Sequence, residues 1–213
     1  MKKMKEDIFI RILSGYYGVL GSIVDLSGRS VELDLGCGKG GFSTQLAKKH
    51  TDRLILSADV MIGRLRKLVK RNQRENVENI EPLRAEARQL VSYMLPDSSL
   101  RRMHMLCPDP WPKTRHKANR LLCSDFLGQI HRVLDLGGVF HFASDDDYYF
   151  DAVEQLFKNS GIFSRDDSTL DDISDLKTDF ENRWLEEGRT VRHMAWVKST
   201  APPKVQGAVA ATK

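Results

Sequence analysis

The sequence predicts an α/β fold in which a mostly parallel sheet carries helices on both faces and ends in an antiparallel edge. Three observations predict it. Short apolar runs alternate with amphipathic stretches from Ser30 to Ala143, a glycine cluster follows the first run, and an acid closes or follows each of the first three runs. A chain of 213 residues with no repeat and no internal domain boundary fits one such domain.

Taken in order, Ile8, Ile12, Leu13, Tyr16, Leu20 and Val24 lie near helical spacing, broken by Gly15, Gly18 and Gly21, and predict a kinked or split helix over residues 4–24. Ser30 to Leu35 reads as a buried strand, Phe42 to Lys48 as the following helix, and Arg53 to Ala58 as a second strand. Ile62, Leu65, Leu68 and Val69 form one face of the next helix. A strand at Ile80 to Arg84, a helix over Ala87 to Met94 and a strand over Arg102 to Cys107 continue the alternation. A helix from about Asn119 to Leu134 precedes a strand at Val139 to Ala143. The last third changes rhythm, with a helix near Phe150 to Lys158, an acidic linker, a short helix at Asp179 to Glu186 and an alternating strand from Thr190 to Val197, which suggests an edge hairpin. The expected organisation is an N-terminal helical segment (1–29), a catalytic domain (30–198) and a frayed tail (199–213).

Composition narrows the function classes. Hydrophobic residues at 41% and charged residues at 29% describe a globular chain rather than a disordered one, and no apolar stretch approaches the roughly 18 residues of a membrane span. The N-terminus lacks the apolar core of a secretory signal, so a cytoplasmic location is expected. Cys37, Cys107 and Cys123 form no CxxC pair, which argues for free thiols and against a structural zinc. The net charge of +4 is the remainder of two opposed groups: fourteen acids face four bases between Ser144 and Glu187. The positive charge is concentrated at Arg64, Arg66, Lys67, Lys70, Arg71 and Arg74, and again at Arg101, Arg102, Lys113, Arg115, Lys117 and Arg120. Such runs suit either a solvated face or a polyanion-binding surface.

In VELDLGCGKGGF, Gly36, Gly38 and Gly40 stand between the first strand and first helix, where glycines allow a tight turn and close approach to a ligand. Gly36, Gly38 and Gly41 also satisfy a dinucleotide fingerprint. Asp34 separates the two readings: a carboxylate at that strand end repels a pyrophosphate and attracts a cation, and S-adenosylmethionine carries both a sulfonium and an ammonium. Asp59 is placed to accept ribose hydroxyls and Glu86 to face an adenine amino group. Each acid has a plain alternative as a helix cap or surface residue; three at successive strand ends, where open sheets bind ligands, favour a cofactor site.

Pro108 and Pro110 stiffen the loop that carries Asp109, with Trp111 and Lys113 beside it. Together LDLGCGKG, PDPWPKTRHKANR, GGVFHFASD and TDFE resemble the bacterial tRNA (guanine-N7-)-methyltransferases from about Val31 to Val197. The resemblance implies a Rossmann-like class I methyltransferase with a seven-stranded sheet, acting with S-adenosylmethionine on N7 of a variable-loop guanosine in tRNA. It matches Asp34, Asp59, Glu86 and Asp109 to cofactor contacts, with Asp109 also catalytic. Lys113, Asp145, Thr178, Asp179, Phe180 and Glu181 match substrate-binding positions, and Arg115, His116, Lys117 and Arg120 fall in a tRNA-contacting segment. Relatives with an arginine-rich N-terminal arm differ from this chain, whose first 29 residues hold only Lys2, Lys3, Lys5, Arg11 and Arg29 as cations. The family leaves monomer and homodimer open. The competing readings are a methyltransferase of another substrate, a nicotinamide oxidoreductase, which Asp34 disfavours, and a non-catalytic tRNA-binding module.

Overall fold

The computed structural model describes residues 9–110 and 120–199. Eight strands form one sheet: β1 (Arg11–Ile12), β2 (Ser30–Leu35), β3 (Arg53–Asp59), β4 (Ile80–Arg84), β5 (Leu100–Leu106), β6 (Leu134–Ser144), β7 (Phe163–Arg165) and β8 (Arg192–Lys198). Their spatial order is β1-β4-β3-β2-β5-β6-β8-β7. All pairings from β1 to β6 are parallel, whereas β8 runs antiparallel to both β6 and β7. The eighth strand beyond the expected seven is the two-residue β1, which extends the edge beside β4.

The helices are α1 (Gly41–Lys49), α2 (Ile62–Glu75), α3 (Ala87–Gln89, continued by a π turn to Met94), α4 (Ser124–Val133), α5 (Asp147–Ser160) and α6 (Asp179–Glu186). Strand β2 shows how the sheet is covered. Val31, Leu33 and Leu35 enter one apolar core with Phe126 and Ile130 of α4 and Phe150 and Phe157 of α5. The alternate residues, Glu32 and Asp34, point to the other face, where Phe42, Leu46 and Leu68 of α1 and α2 pack with Ile55 of β3. Phe157 stacks on Phe140 at 4.9 Å and on Trp196 at 5.2 Å, which ties α5 to the antiparallel edge.

Two expectations are corrected. The described part of the N-terminal segment forms β1 and a 3-10 turn (Leu20–Ser22) instead of a split helix. Gly15 takes φ +80°, and Leu13, Leu20 and Val24 each plug the core separately instead of forming one stripe. The antiparallel edge is present, but β7 and β8 are joined by a 3-10 segment (Asp167–Ile173) and α6 instead of a tight hairpin turn. Residues 111–119 and the tail from 200 lie outside the described residues.

The acidic linker has a structural task that its composition hides. Asp172 accepts from Arg102 at 3.0 Å and from Arg53 at 3.3 Å, and Arg102 also donates to Thr169 O at 2.9 Å. Arg102 is therefore buried beneath the 3-10 segment, not part of a basic surface. Arg53 also pairs with Glu32. Burial would raise the Glu32 carboxyl, but the His104 hydrogen bond and the charges of His104, Arg102 and Arg53 outweigh it and hold Glu32 at about 2.

Candidate active site

The strand order reverses between the parallel neighbours β2 and β5, and the cleft opens at their carboxyl ends. Its volume is about 550 Å³, within the range of small-molecule sites. One wall consists of Asp34, Gly36 and Gly38 with Asp59 at the end of β3. Cys107 and Asp109 after β5, and Thr178, Asp179 and Phe180 at the start of α6, form the opposing wall.

The glycine loop is fixed by its own backbone. Gly36 N and Cys37 N donate to Ala58 O at 2.8 and 3.0 Å, laying the loop across the end of β3. A Cβ at Gly36 or Gly38 would meet nothing within 4 Å, so both face open space in the cleft. Gly40 has a different role: it begins α1 at φ +76°, and a Cβ there would lie 2.5 Å from Leu68 Cδ1. Replacing Gly40 with Ala should therefore destabilise the fold by roughly 2–4 kcal/mol through combined backbone strain and overpacking. An unchanged urea midpoint would contradict this close approach of α1 to α2.

Asp34 is buried, and Ser43 Oγ one turn into α1 donates to its Oδ2 at 2.5 Å. Burial pushes its carboxyl up to about 7; the Ser43 hydroxyl acts against that shift and the Asp59 charge adds to it. Among the described residues this carboxylate has no cationic partner, and a positively charged ligand would supply one. Asp59 Oδ2 accepts from Gly38 N at 3.1 Å and from Arg64 at 3.4 Å, while Oδ1 accepts from Met61 N at 2.7 Å alone, which leaves a lone pair on Oδ1 for a ligand hydroxyl.

Glu86 is exposed and caps α3, accepting from Arg88 N and Gln89 N at 3.0 and 2.7 Å. It does not line the cleft, although its neighbours Ala85 and Ala87 do. Gly40 likewise lies behind the lining, supporting the loop from α1.

Asp109 lines the cleft between Pro108 and Pro110. Arg120 Nε donates to Pro110 O at 2.9 Å, and its guanidinium lies 4.7 Å from the Tyr149 ring centre. Arg120 thus ties the loop to Tyr149 of α5. Cys107 turns the chain out of β5 at φ +51°, and its N–H donates to Ala143 O at 2.8 Å. Burial pushes the Cys107 thiol up to about 12, and Cys37 rises for the same reason, so neither is a poised nucleophile.

On the α6 side, Thr178 Oγ1 accepts from Glu181 N at 2.9 Å and caps the helix. Asp179 is held by Arg71 of α2 at 3.1 Å, and a Cβ on Gly41 would collide with it at 2.4 Å. Phe180 is exposed at the cleft, 5.8 Å from the Trp184 ring. Glu181 is buried and turned away from the cleft toward His193 and Lys177. Asp145 is paired with Arg189 and does not line the cleft. Lys113, Arg115, His116 and Lys117, together with Trp111, lie outside the described residues. Sequence reasoning passed over Ser43 and Arg183 and placed Arg64 only in a basic run; Arg64 and Arg183 line the cleft. Only Ser43, one turn beyond the glycine loop, sits where spacing offers a signal.

A family model described as a putative methyltransferase matches residues 28–194. The chain is 30% identical to the tRNA (guanine-N(7)-)-methyltransferase of Rubrobacter xylanophilus, over 80% of this chain and 77% of the relative. It is 29% identical to the protein of that name from Thermotoga maritima, over 78% of this chain and 53% of the relative. This chain therefore spans about half the length of the Thermotoga protein. Among solved structures, 16S rRNA methyltransferase KamB has a TM-score of 0.58 at 16% identity, covering 80% of this chain and 88% of that one. An rRNA methylase from Streptococcus thermophilus has a TM-score of 0.54 at 17% identity, covering 85% and 92%. These two show a shared Rossmann-like fold. The matched family model and the similarity to the Rubrobacter protein place the chain in the tRNA (guanine-N7-)-methyltransferase family.

Proposed function

We propose that this chain methylates N7 of a variable-loop guanosine in tRNA, with S-adenosylmethionine as donor. The observation that carries the reading is the buried Asp34 carboxylate, raised to about 7, at the base of a cleft whose other wall presents Asp109 and Phe180. The cofactor fits the residues present. Asp34 offers the anionic partner that a cationic ligand needs, Gly36 and Gly38 leave room at the backbone, and Asp59 keeps acceptor capacity for a ribose. Bound S-adenosylmethionine supplies an electrophilic methyl group.

Guanine N7 bears a free lone pair at neutral pH, so the chain needs no base to create the nucleophile. Its contribution is positioning and electrostatics. Asp109, held by two prolines and by the Arg120 brace, is assigned to accept hydrogen bonds from the guanine N1 and N2 groups and to stabilise the charge that develops on the ring. Phe180, exposed at the cleft, is assigned to stack on the base. Thr178 and Asp179 hold that helix end in place, while Asp145, paired with Arg189 outside the cleft lining, is assigned to substrate contact beyond the cleft. Glu86 is assigned to the adenine end of the cofactor through the turn it caps, and Gly40 acts by supporting the loop. Lys113, Arg115, His116 and Lys117 are assigned to the tRNA backbone. Catalysis is assigned to the 30–198 domain.

The outer face of α2 supports a polyanion partner. Arg66, Lys67 and Lys70 are exposed, whereas Arg71 and Arg74 pair with Asp179 and Glu75. Each phosphate contact released should reduce the salt slope of binding by about 1. Triple replacement of Arg66, Lys67 and Lys70 by Ala should weaken tRNA binding and flatten its dependence on salt, while S-adenosylmethionine affinity stays within about twofold. An unchanged slope would return this face to a solvated surface. The activity itself is tested by transfer of labelled methyl to unmodified tRNA. Cofactor-independent tRNA binding with no transfer would favour the non-catalytic module instead.

A further inference from the structure

A continuous hydrogen-bonded chain crosses the buried face of the sheet, and the methyl-transfer reading leaves it without a role. Glu32 Oε2 on β2 meets His104 Nε2 on β5 at 2.9 Å. His104 Nδ1 meets His141 Nδ1 on β6 at 3.0 Å, and His141 Nε2 meets His193 Nδ1 on β8 at 3.0 Å. His193 Nε2 then meets Glu181 Oε1 on α6 at 3.1 Å. Cations hold both ends: Arg53 pairs with Glu32, and Lys177 approaches the same Glu181 oxygen at 3.0 Å.

The four contacts need four protons. Three neutral imidazoles supply three. With only three, one contact sets two lone pairs against each other at about 3 Å, in an interior where an unsatisfied polar group is costly. The end carboxylates do not supply the fourth. Glu32 lies at about 2, and at Glu181 burial is outweighed by His193 and Lys177, which hold its carboxyl below the usual range. His104 and His141 are fully enclosed, and burial lowers both, so neither is a seat for a positive charge. His193 retains partial exposure and touches a carboxylate.

We propose that this chain holds one proton beyond those of three neutral imidazoles, seated on His193 as an imidazolium against Glu181, and that this pair fixes the first turn of α6 at the cleft. His193 is then a positioning residue for Thr178, Asp179 and Phe180. The tautomers follow: His104 carries its proton on Nε2, His141 on Nδ1, and His193 on both nitrogens. The protonation pattern stands on the hydrogen-bond geometry and on the burial and charges around each group, whereas the positioning role rests on the methyltransferase reading.

Nitrogen-15 NMR of the imidazoles in the full-length protein at pH 7 tests the pattern, with signals assigned from single-histidine variants. The expected spectrum shows two protonated nitrogens on His193 and one each on His104 and His141; a neutral His193 overturns the proposal. Glu181→Gln gives a second reading, because an amide N–H can donate to a neutral His193 Nε2 and remove the need for the fourth proton. His193 should then be protonated on Nδ1 only, and an imidazolium persisting in this variant overturns the pairing. For the positioning role, His193→Phe should raise the KM for tRNA about tenfold. His193→Arg, a permanent cation with several donors, should restore it to within about threefold. An unchanged KM in the Phe variant, or no rescue by Arg, overturns that role. Failure of the protein to methylate tRNA at all would refute the functional reading and leave the NMR result standing.

Discussion

Replacing Asp109 with Ala should lower methylation turnover about 10²–10³-fold while the fold persists, the loss seen when one preorganised polar group at a developing charge is removed. Persistence of the fold is expected because Asp109 is exposed, on a loop held by Pro108, Pro110 and the Arg120 bond to Pro110 O. The effect should fall on kcat and kcat/KM together if Asp109 acts on the transition state. Asp109→Asn separates the carboxylate's charge from its hydrogen bonding, and should retain part of the base recognition but little of the rate. Single-turnover kinetics with saturating cofactor measure this. A rate near that of the unmodified protein would remove Asp109 from the catalytic role.

Replacing Asp34 with Asn should move stability and cofactor affinity in opposite directions. The folded carboxyl titrates at about 7, above its ordinary value of 3.8, so between these values the folded state binds more protons than the unfolded one. Stability from this group therefore falls as pH rises from about 4 to about 7 and stays reduced above that. At pH 8 the buried charge costs on the order of 4 kcal/mol, which Asn avoids while still accepting from Ser43. The variant should thus unfold at higher urea than the unmodified protein at pH 8, with little difference from this source near pH 4. Its S-adenosylmethionine affinity should fall roughly 10–100-fold, the loss of one charge-assisted contact. The unmodified protein should also lose affinity as pH drops below about 7, because binding a cation then requires ionising Asp34, and Asn should abolish that dependence. Calorimetry across pH 4 to 8 checks both signs. A stability loss at pH 8 with unchanged affinity would show that Asp34 is a structural group.

The parts of the fold legible in the sequence are those where one residue pattern has one physical use. Strands buried on both faces, such as β3, read as continuous apolar runs, and α2 declared itself by separating Leu65 and Leu68 from its cations. The acids at strand ends were legible because open sheets bind ligands there; Asp34 and Asp59 do line the cleft. Glu86, equally well placed in the chain, turned to its own helix start, a choice set by local backbone geometry. The N-terminal segment misled because apolar spacing outweighed three glycines. Arg102 misled because charge alone does not tell which face of β5 a residue occupies: Arg101 is exposed and its neighbour is buried. The histidine chain was not readable at all. His104, His141 and His193 are far apart in sequence, and only the register of β5, β6 and β8 aligns them.

The most direct test of the account is to incubate the protein with unmodified tRNA and labelled S-adenosylmethionine, then map the labelled base. Label on N7 of a variable-loop guanosine is the predicted result. Label on any other atom or nucleotide, with that guanosine unmodified, would contradict it.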